Sequence, residues 1–282
     1  MKGIGKSPMK VLLAGGNGLL GRAVQRKFPG EWSLFSPAHA EMDIGDAPSV
    51  RRCFERYRPE AFLNCAAMTD VDRCEREPAT AFEANCAAVE TLSGICSAYG
   101  VPLCHIGTDY VFDGTAAEPL TEEALPNPIN AYGKSKLAGE RAVLEGGGCV
   151  LRVQWLYGRG KAAFVDRILL SDSDFPIKVV NDCFGSPTYA DDAADMLAYL
   201  IGSGASGLYH GACSGATSWF GFAGEILART GLVRRLVPVS SDALLRDAKR
   251  PKYTALNTDK LQKACHVRSW QAALGDYLTA GR

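Results

Sequence analysis

Neither sign of charge is in surplus: across 282 residues, 31 Lys and Arg face 31 Asp and Glu, for a formal net charge of zero. A polyanion-binding surface rests on excess clustered cation, so the composition excludes DNA and RNA as expected partners. Nor is there an apolar run of the roughly 18–20 residues that a membrane span takes. The stretch from Met1 to Met9 carries Lys2 and Lys6, but only Val11 to Ala14 follows before glycines. That is too short for the apolar region of a signal peptide, so a cytoplasmic protein with a flexible extension over residues 1–8 is expected. None of the ten cysteines forms a Cys-x-x-Cys pair, which removes the usual zinc and thioredoxin spacings. Most lie inside apolar runs, as Cys65 does in Phe62-Leu63-Asn64-Cys65-Ala66, and read as small core residues in a reducing compartment. His210-x-x-Cys213 is half of a metal-ligand spacing with no second half. What is present is ordinary. The chain is 47% apolar and 22% charged, the balance of one large α/β domain, or one with a small appended lobe.

The patterning alternates between strand and helix. Met9–Ala14 is a short apolar run ending in glycines, and Arg22–Phe28 reads as a helix stopped by Pro29-Gly30. Trp32–Phe35, Ala61–Asn64, Val101–Ile106 and Cys149–Val153 read as further strands. Ala47–Arg58 and Ala131–Glu145 read as helices between them. A long helix is predicted over Ala79–Tyr99, where Phe82, Cys86, Val89, Leu92, Cys96 and Tyr99 repeat at helical spacing. This order predicts βαβ units on a doubly wound parallel sheet, an α/β Rossmann-type fold. Gly107–Asn130, with its glycine and prolines, reads as a long functional loop. Beyond Trp155 the pattern loosens: a turn at Ser171–Asp174, a strand at Lys178–Val180, a helix over Tyr189–Leu200, a strand at Gly207–His210, and helices over Ser218–Arg229 and Asp259–Cys265. The expected division is a Rossmann domain over 9–157 with returns near 189–212, and a mainly substrate-binding lobe over 158–282.

Three groups of residues carry chemistry. Gly15-x-x-Gly18-x-x-Gly21 follows a strand and opens a helix, which suits a pyrophosphate at a helix N-terminus; a plain strand–turn–helix is the alternative. No acid follows the second strand to bind a ribose 2′-hydroxyl: Ser36-Pro37-Ala38-His39 stands there. Arg22 is near enough to meet a 2′-phosphate, so NADP(H) is favoured, with a solvated first-turn charge as the other reading of Arg22. Tyr132 and Lys136 lie four apart on one helix face, where a Lys ammonium is expected to lower the Tyr pKa and ready it for proton donation; a surface Tyr–Lys pair is the bland alternative. Thr108 follows the fourth strand, placed to hold a carbonyl oxygen or simply to cap a turn. Trp155, two residues past the fifth strand, reads either as a flat wall for a sugar or as a core residue.

Together these segments resemble the dTDP-4-dehydrorhamnose reductase family of the extended short-chain dehydrogenase/reductase superfamily. The resemblance runs from about Met9 to the C-terminus. It rests on the glycine turn, Met42-Asp43-Ile44-Gly45-Asp46, Asn64 through Glu75, Asn85, Thr108 through Gly114, Tyr132 through Glu140, Arg152 through Gly158, Gly185-Ser186-Pro187-Thr188, and Arg250-Pro251. It implies reduction of the C4 keto group of dTDP-4-dehydro-L-rhamnose by NADPH, NADH being open as a second donor. It implies Thr108, Tyr132 and Lys136 as the catalytic set. The cofactor would be met by Gly15, Asn17, Gly18, Leu19, Leu20, Arg22, Asp43, Ile44, Ala66, Ala67, Met68, Thr69 and Ile106 together with Tyr132 and Lys136. The sugar would be met by Thr108, Asp109, Tyr110 and Trp155. Some members bind Mg²⁺ at a dimer contact, but no acids here map onto that site, so no metal site is expected, and a homodimer stays open. The chain departs from the family at Met68, Gly107 and Cys183, where Tyr, Ser and Gln are usual. Two alternatives remain: a nucleotide-sugar epimerase or dehydratase of the same superfamily, and a non-catalytic subunit like the β subunit of methionine adenosyltransferase.

Overall fold

In the computed structural model, residues 8–171 and 175–280 are described. The expected extension over 1–8 falls outside them except for Pro8, as does the turn at Ser171–Asp174 except for Ser171. Five strands form as the apolar runs predict: β1 (Lys10–Ala14), β2 (Ser33–Phe35), β3 (Ala61–Asn64), β4 (Leu103–Thr108) and β5 (Cys149–Val153). Gly207–His210 joins them as the sixth, and all pair in parallel in the order Gly207–His210, β5, β4, β3, β1, β2. The order turns back at β1, which has β2 on one side and β3 on the other. A crevice for ligand therefore opens beyond the carboxyl ends of β1 and β3.

The strands read as unbroken apolar runs because both faces of the sheet are covered. Val11, Leu13, Leu63 and Leu151 pack with Ala23, Val24 and Leu197, from the Leu19–Lys27 and Ala190–Gly202 helices. Leu12, Phe62 and Val150 face the other way onto Val50, Phe54, Val89, Leu92 and Val143. A separate core gathers Tyr157, Ile168, Phe222, Trp270 and Tyr277.

The single helix expected over Ala79–Tyr99 is instead Pro78–Phe82, a π-helical turn at Glu83–Ala87, and Ala88–Tyr99. The widened turn changes the register of the apolar stripe. Val89, Leu92 and Cys96 are buried, but Phe82 and Tyr99 are 39% and 41% exposed. The π turn also brings Asn85 inward. Its backbone oxygen would be 2.1 Å from a Cβ on Gly139, so the Ala131–Glu145 helix packs on it only through glycine. Gly139→Ala is expected to cost about 1–3 kcal/mol or more, because backbone rather than a mobile side chain must give way. Urea unfolding at unchanged m-value would measure it, and a loss well under 1 kcal/mol would show that the two helices part without strain.

Other boundaries shift too. The first helix begins at Leu19 rather than Arg22, and the last turn of the helix expected over Asp259–Cys265 is absent, since only Asp259–Gln262 is helical. A helix over Val71–Arg76, a strand at Leu236–Val239 and the Trp270–Thr279 helix arise without having been expected. Seven of the ten cysteines are buried and all ten are free thiols. His210 is committed elsewhere than to a metal: Nδ1 meets the Asn257 carbonyl at 3.1 Å and Nε2 faces Arg152 at 3.4 Å.

Candidate active site

The glycine turn stands at the crevice. Gly15 has φ +77°, and a Cβ there would lie 2.6 Å from the Ala66 backbone nitrogen, so only glycine joins β1 to its turn beside β3. Gly18 is the N-cap of the Leu19–Lys27 helix and supplies no side-chain cap, which leaves first-turn N–H groups as donors for an anion. Arg22 is exposed, and its Nε donates to the Asn17 carbonyl at 3.1 Å, so its charge lies along the turn. Asn17 is exposed on the same turn. Asp43 is held by backbone: its N–H donates to Ser49 Oγ at 3.1 Å and its Oδ1 accepts from Gly45 N at 2.9 Å. Ile44 is buried in the core beside Met42 and Val50.

Beyond β3 the chain runs through Ala66, Ala67, Met68 and Thr69. Buried Asn85 fixes this path with both ends of its amide, accepting from Met68 N at 2.9 Å and donating to Met68 O at 3.0 Å. Met68 and Tyr132 both pack on the buried cluster of Cys74, Ala81 and Ala131.

Tyr132 and Lys136 come from the first turns of the Ala131–Glu145 helix, whose N-cap Asn130 accepts from Gly133 N at 2.8 Å. Tyr132 is half-buried and Lys136 only 2% exposed. Thr108 ends β4, and its hydroxyl is the polar neighbour of the Tyr132 phenol. Tyr110 meets the Tyr132 ring edge-on at 5.5 Å. The electrostatics reverse one expectation. Burial, joined by Asp109, drives the Tyr132 phenol above its ordinary value, with Thr108 pulling the other way. Lys136 is not the cause of a lowered phenol. Burial instead brings Lys136 itself down to about 8, against Glu140 and Cys65, which raise it. Its Nζ is directed at the Ile106 carbonyl, 2.6 Å away, and at His105 Nε2, 3.1 Å away.

Asp109, expected at the sugar, lies beneath the cleft and is 2% exposed. Its Oδ2 accepts from Thr254 Oγ1 at 2.6 Å and Gln154 Nε2 at 2.7 Å, and its Oδ1 accepts from Thr108 at 3.2 Å. Burial still pushes this carboxyl up to about 6. Gln154 closes the network by accepting from Ser186 N at 2.6 Å. Asp109 thus ties Thr108 to Thr254 and Gln154.

In front of Tyr110 and Thr254 lies a cleft of about 510 Å³, walled by Trp155, Trp219, Phe164 and Cys183 and edged by Arg167, Lys178, Arg246 and Arg250. Arg250 is aimed by Asp72 at 2.8 Å. These four cations were not among the site residues expected from the sequence, Arg250 having been noted only as a motif. They are scattered through the irregular C-terminal part, where no periodicity links them. Trp155 does line the cleft, but it has φ +44° and one face is taken by Trp219, stacked 3.6 Å away. A larger cleft of about 590 Å³, between Lys27, Asp191 and Arg268, holds none of the expected site residues. Among the described residues no group of three or more His, Cys, Asp or Glu side chains is placed to hold a metal ion.

A glycine turn at the switch point of a parallel sheet, with Thr, Tyr and Lys gathered at the carboxyl edge, defines a Rossmann-type oxidoreductase of the short-chain dehydrogenase/reductase class. The chain belongs to the RmlD substrate binding domain family, whose model matches residues 9–282. It is 36% identical to a dTDP-4-dehydrorhamnose reductase of Streptomyces griseus, over 95% of this chain and 93% of that protein. It is also 36% identical to a dTDP-4-keto-6-deoxy-D-glucose reductase of Streptomyces niveus, over 93% and 94%. Among solved structures, a dTDP-4-dehydrorhamnose reductase of Bacillus anthracis in complex with NADP is 32% identical, with a TM-score of 0.93 over 97% of this chain and 100% of that one.

Proposed function

We propose that this chain reduces the C4 keto group of dTDP-4-dehydro-L-rhamnose to give dTDP-L-rhamnose, with NADPH as the donor. The observation that carries the reading is that Tyr132, with Thr108 as its polar neighbour, meets edge-on the Tyr110 ring that lines a cation-edged cleft, with Lys136 one turn along its helix. NADPH, when bound, supplies the hydride that reaches C4. Gly15, Asn17, Gly18, Leu19 and Leu20 would hold its pyrophosphate, Asp43 and Ile44 would border its adenine, and Ala66 to Thr69 with Ile106 would line its path. Thr108 orients the keto oxygen, Tyr132 gives it a proton, and Lys136 holds the nicotinamide ribose. Arg167, Lys178, Arg246 and Arg250 suit a substrate diphosphate, and the indole wall of Trp155 and Trp219 suits a 6-deoxy face. The dehydratase alternative needs an extra acid–base pair beside Thr108, but Tyr110 follows there and the Asp109 carboxylate is already taken by Thr254 and Gln154. No described helix is long and apolar enough to cross a membrane. The reading carries a cytoplasmic site of action and makes a homodimer the assembly to look for.

The Streptomyces niveus relative favours dTDP-4-keto-6-deoxy-D-glucose as a second reading of the substrate. NADPH oxidation with each keto-sugar, followed by product identification, decides between them. Turnover of dTDP-4-dehydro-L-rhamnose to dTDP-L-rhamnose is expected, and turnover of the other sugar alone would overturn the assignment. Arg22→Ala should weaken NADPH more than NADH, by about 1–3 kcal/mol in binding, because only NADPH offers a 2′-phosphate to that guanidinium. Equal weakening of both would remove Arg22 from the 2′-phosphate site.

A further inference from the structure

Behind Lys136 lies a chain of buried polar groups with only one fully satisfied arrangement. Asn64, at the end of β3, is fully buried, and its Oδ1 accepts from Ala66 N at 3.0 Å. That bond fixes the amide, so Nδ2 is the group facing His105 Nδ1 at 3.1 Å. An NH₂ donates, so His105 Nδ1 must accept, and the proton of the neutral ring sits on Nε2. Nε2 is 3.1 Å from Lys136 Nζ. Lys136 meanwhile donates to the Ile106 carbonyl at 2.6 Å. An amine at Lys136 satisfies every member, taking the His105 N–H on its lone pair. An ammonium sets N–H against N–H, or forces the ring into the other tautomer against Asn64. His105 is fully buried, and burial followed by the neighbouring Lys136 holds it well below its ordinary value, so it does not relieve the conflict by charging.

We infer that His105, locked in one tautomer by Asn64, is a positioning residue that sets the proton state of Lys136 and so the reloading of Tyr132 after each reduction. The inference rests on the proposed reaction for its last step only. There, Tyr132 passes its O–H proton to the C4 alkoxide, the Lys136 ammonium returns a proton to the phenolate, and the Lys136 amine regains one from solvent hydronium, the one proton that each reduction consumes. The groups around Lys136 are His105 and the Ile106 carbonyl from β4, Cys65 from the end of β3, and Glu140 from its own helix. Arg152 from β5 stands behind Glu140. Burial drives the Tyr132 phenol up and brings Lys136 down to about 8, so the proton moves downhill from lysine to phenolate.

Two measurements on the unliganded full chain test this without any substrate. In ¹⁵N-histidine spectra, His105 should carry its proton on Nε2 with Nδ1 bare; the opposite tautomer overturns the inference. In ¹³Cε-lysine titrations, assigned with Lys136→Arg, the Lys136 midpoint should rise by about one pH unit in His105→Gln, where an amide oxygen can accept from the ammonium. An unmoved or lowered midpoint overturns it. Should His105→Gln fail to fold, Asn64→Asp is the isosteric substitute: it turns His105 Nδ1 into a donor, offers Nε2 to the ammonium, and should move the midpoint the same way. With NADPH and keto-sugar, kcat should fall as pH rises through Lys136, and this alkaline limb should follow the same shift. Absence of turnover would count against the proposed reaction and leave the tautomer and the lysine midpoint to be read on their own.

Discussion

Tyr132→Phe is expected to lower kcat by about 10²–10⁴-fold while NADPH binds as before, since general-acid donation is worth that much. The phenol is the proton donor nearest the place where an oxyanion would form above Thr108. Removing its oxygen leaves the ring packed on the Cys74, Ala81 and Ala131 cluster and edge-on to Tyr110. Thr108 keeps its bond to Asp109, and Tyr110 N keeps its bond to Thr108. The loss should therefore appear in single-turnover NADPH oxidation, with little change in melting temperature. Turnover near that of the parent would remove Tyr132 as the acid. An equal fall in NADPH affinity would recast it as a binding residue.

The largest effect on stability should come from Glu140→Gln. Glu140 and Arg152 are 2% and 1% exposed and meet twice, at 2.9 Å and 2.5 Å. Arg152 also leans over the Phe112 ring at 5.1 Å and reaches His210. Gln keeps the shape but offers one neutral acceptor where two charged ones stood, leaving a guanidinium buried with an uncompensated charge. Such losses run to about 3–5 kcal/mol, whereas replacing both partners by apolar residues is often neutral or better. Urea unfolding of Glu140→Gln and of the double variant Glu140→Leu/Arg152→Met checks both halves. A single-variant loss under about 1 kcal/mol would mean that water reaches this pair.

The strands and the glycine turn are legible in the sequence because the information is local. Lys10–Ala14 is apolar along its length, and Gly15 must reverse the chain at once. Tyr132 and Lys136 are legible for the same reason, four residues apart on one helix. The buried network of Asp109 was not legible because its neighbours come from far away: Thr254 and Gln154 bind it, and neither signals this by spacing. The cationic edge was hidden likewise, its members contributed by separate segments of the C-terminal part. The reversed electrostatics of Tyr132 and Lys136 follow from burial, which adjacency in sequence does not report. The π turn escaped because Phe82, Cys86 and Val89 fit an α-helical period, while the Asn85 bonds to Met68 and Ser135 that accompany the widened turn join residues distant in sequence.

Thr254 binds a carboxylate 145 residues before it, and Gln154 reaches 100 residues forward to that same threonine. A chain made from its N-terminus has β1 to β5 in hand long before Thr254 exists. During that interval Asp109 must keep its water, and Thr108 stands on an unfinished support. The nucleotide-holding half of the crevice can therefore take shape while the protein is still being synthesised, but its acid–base centre matures only as the last stretch emerges.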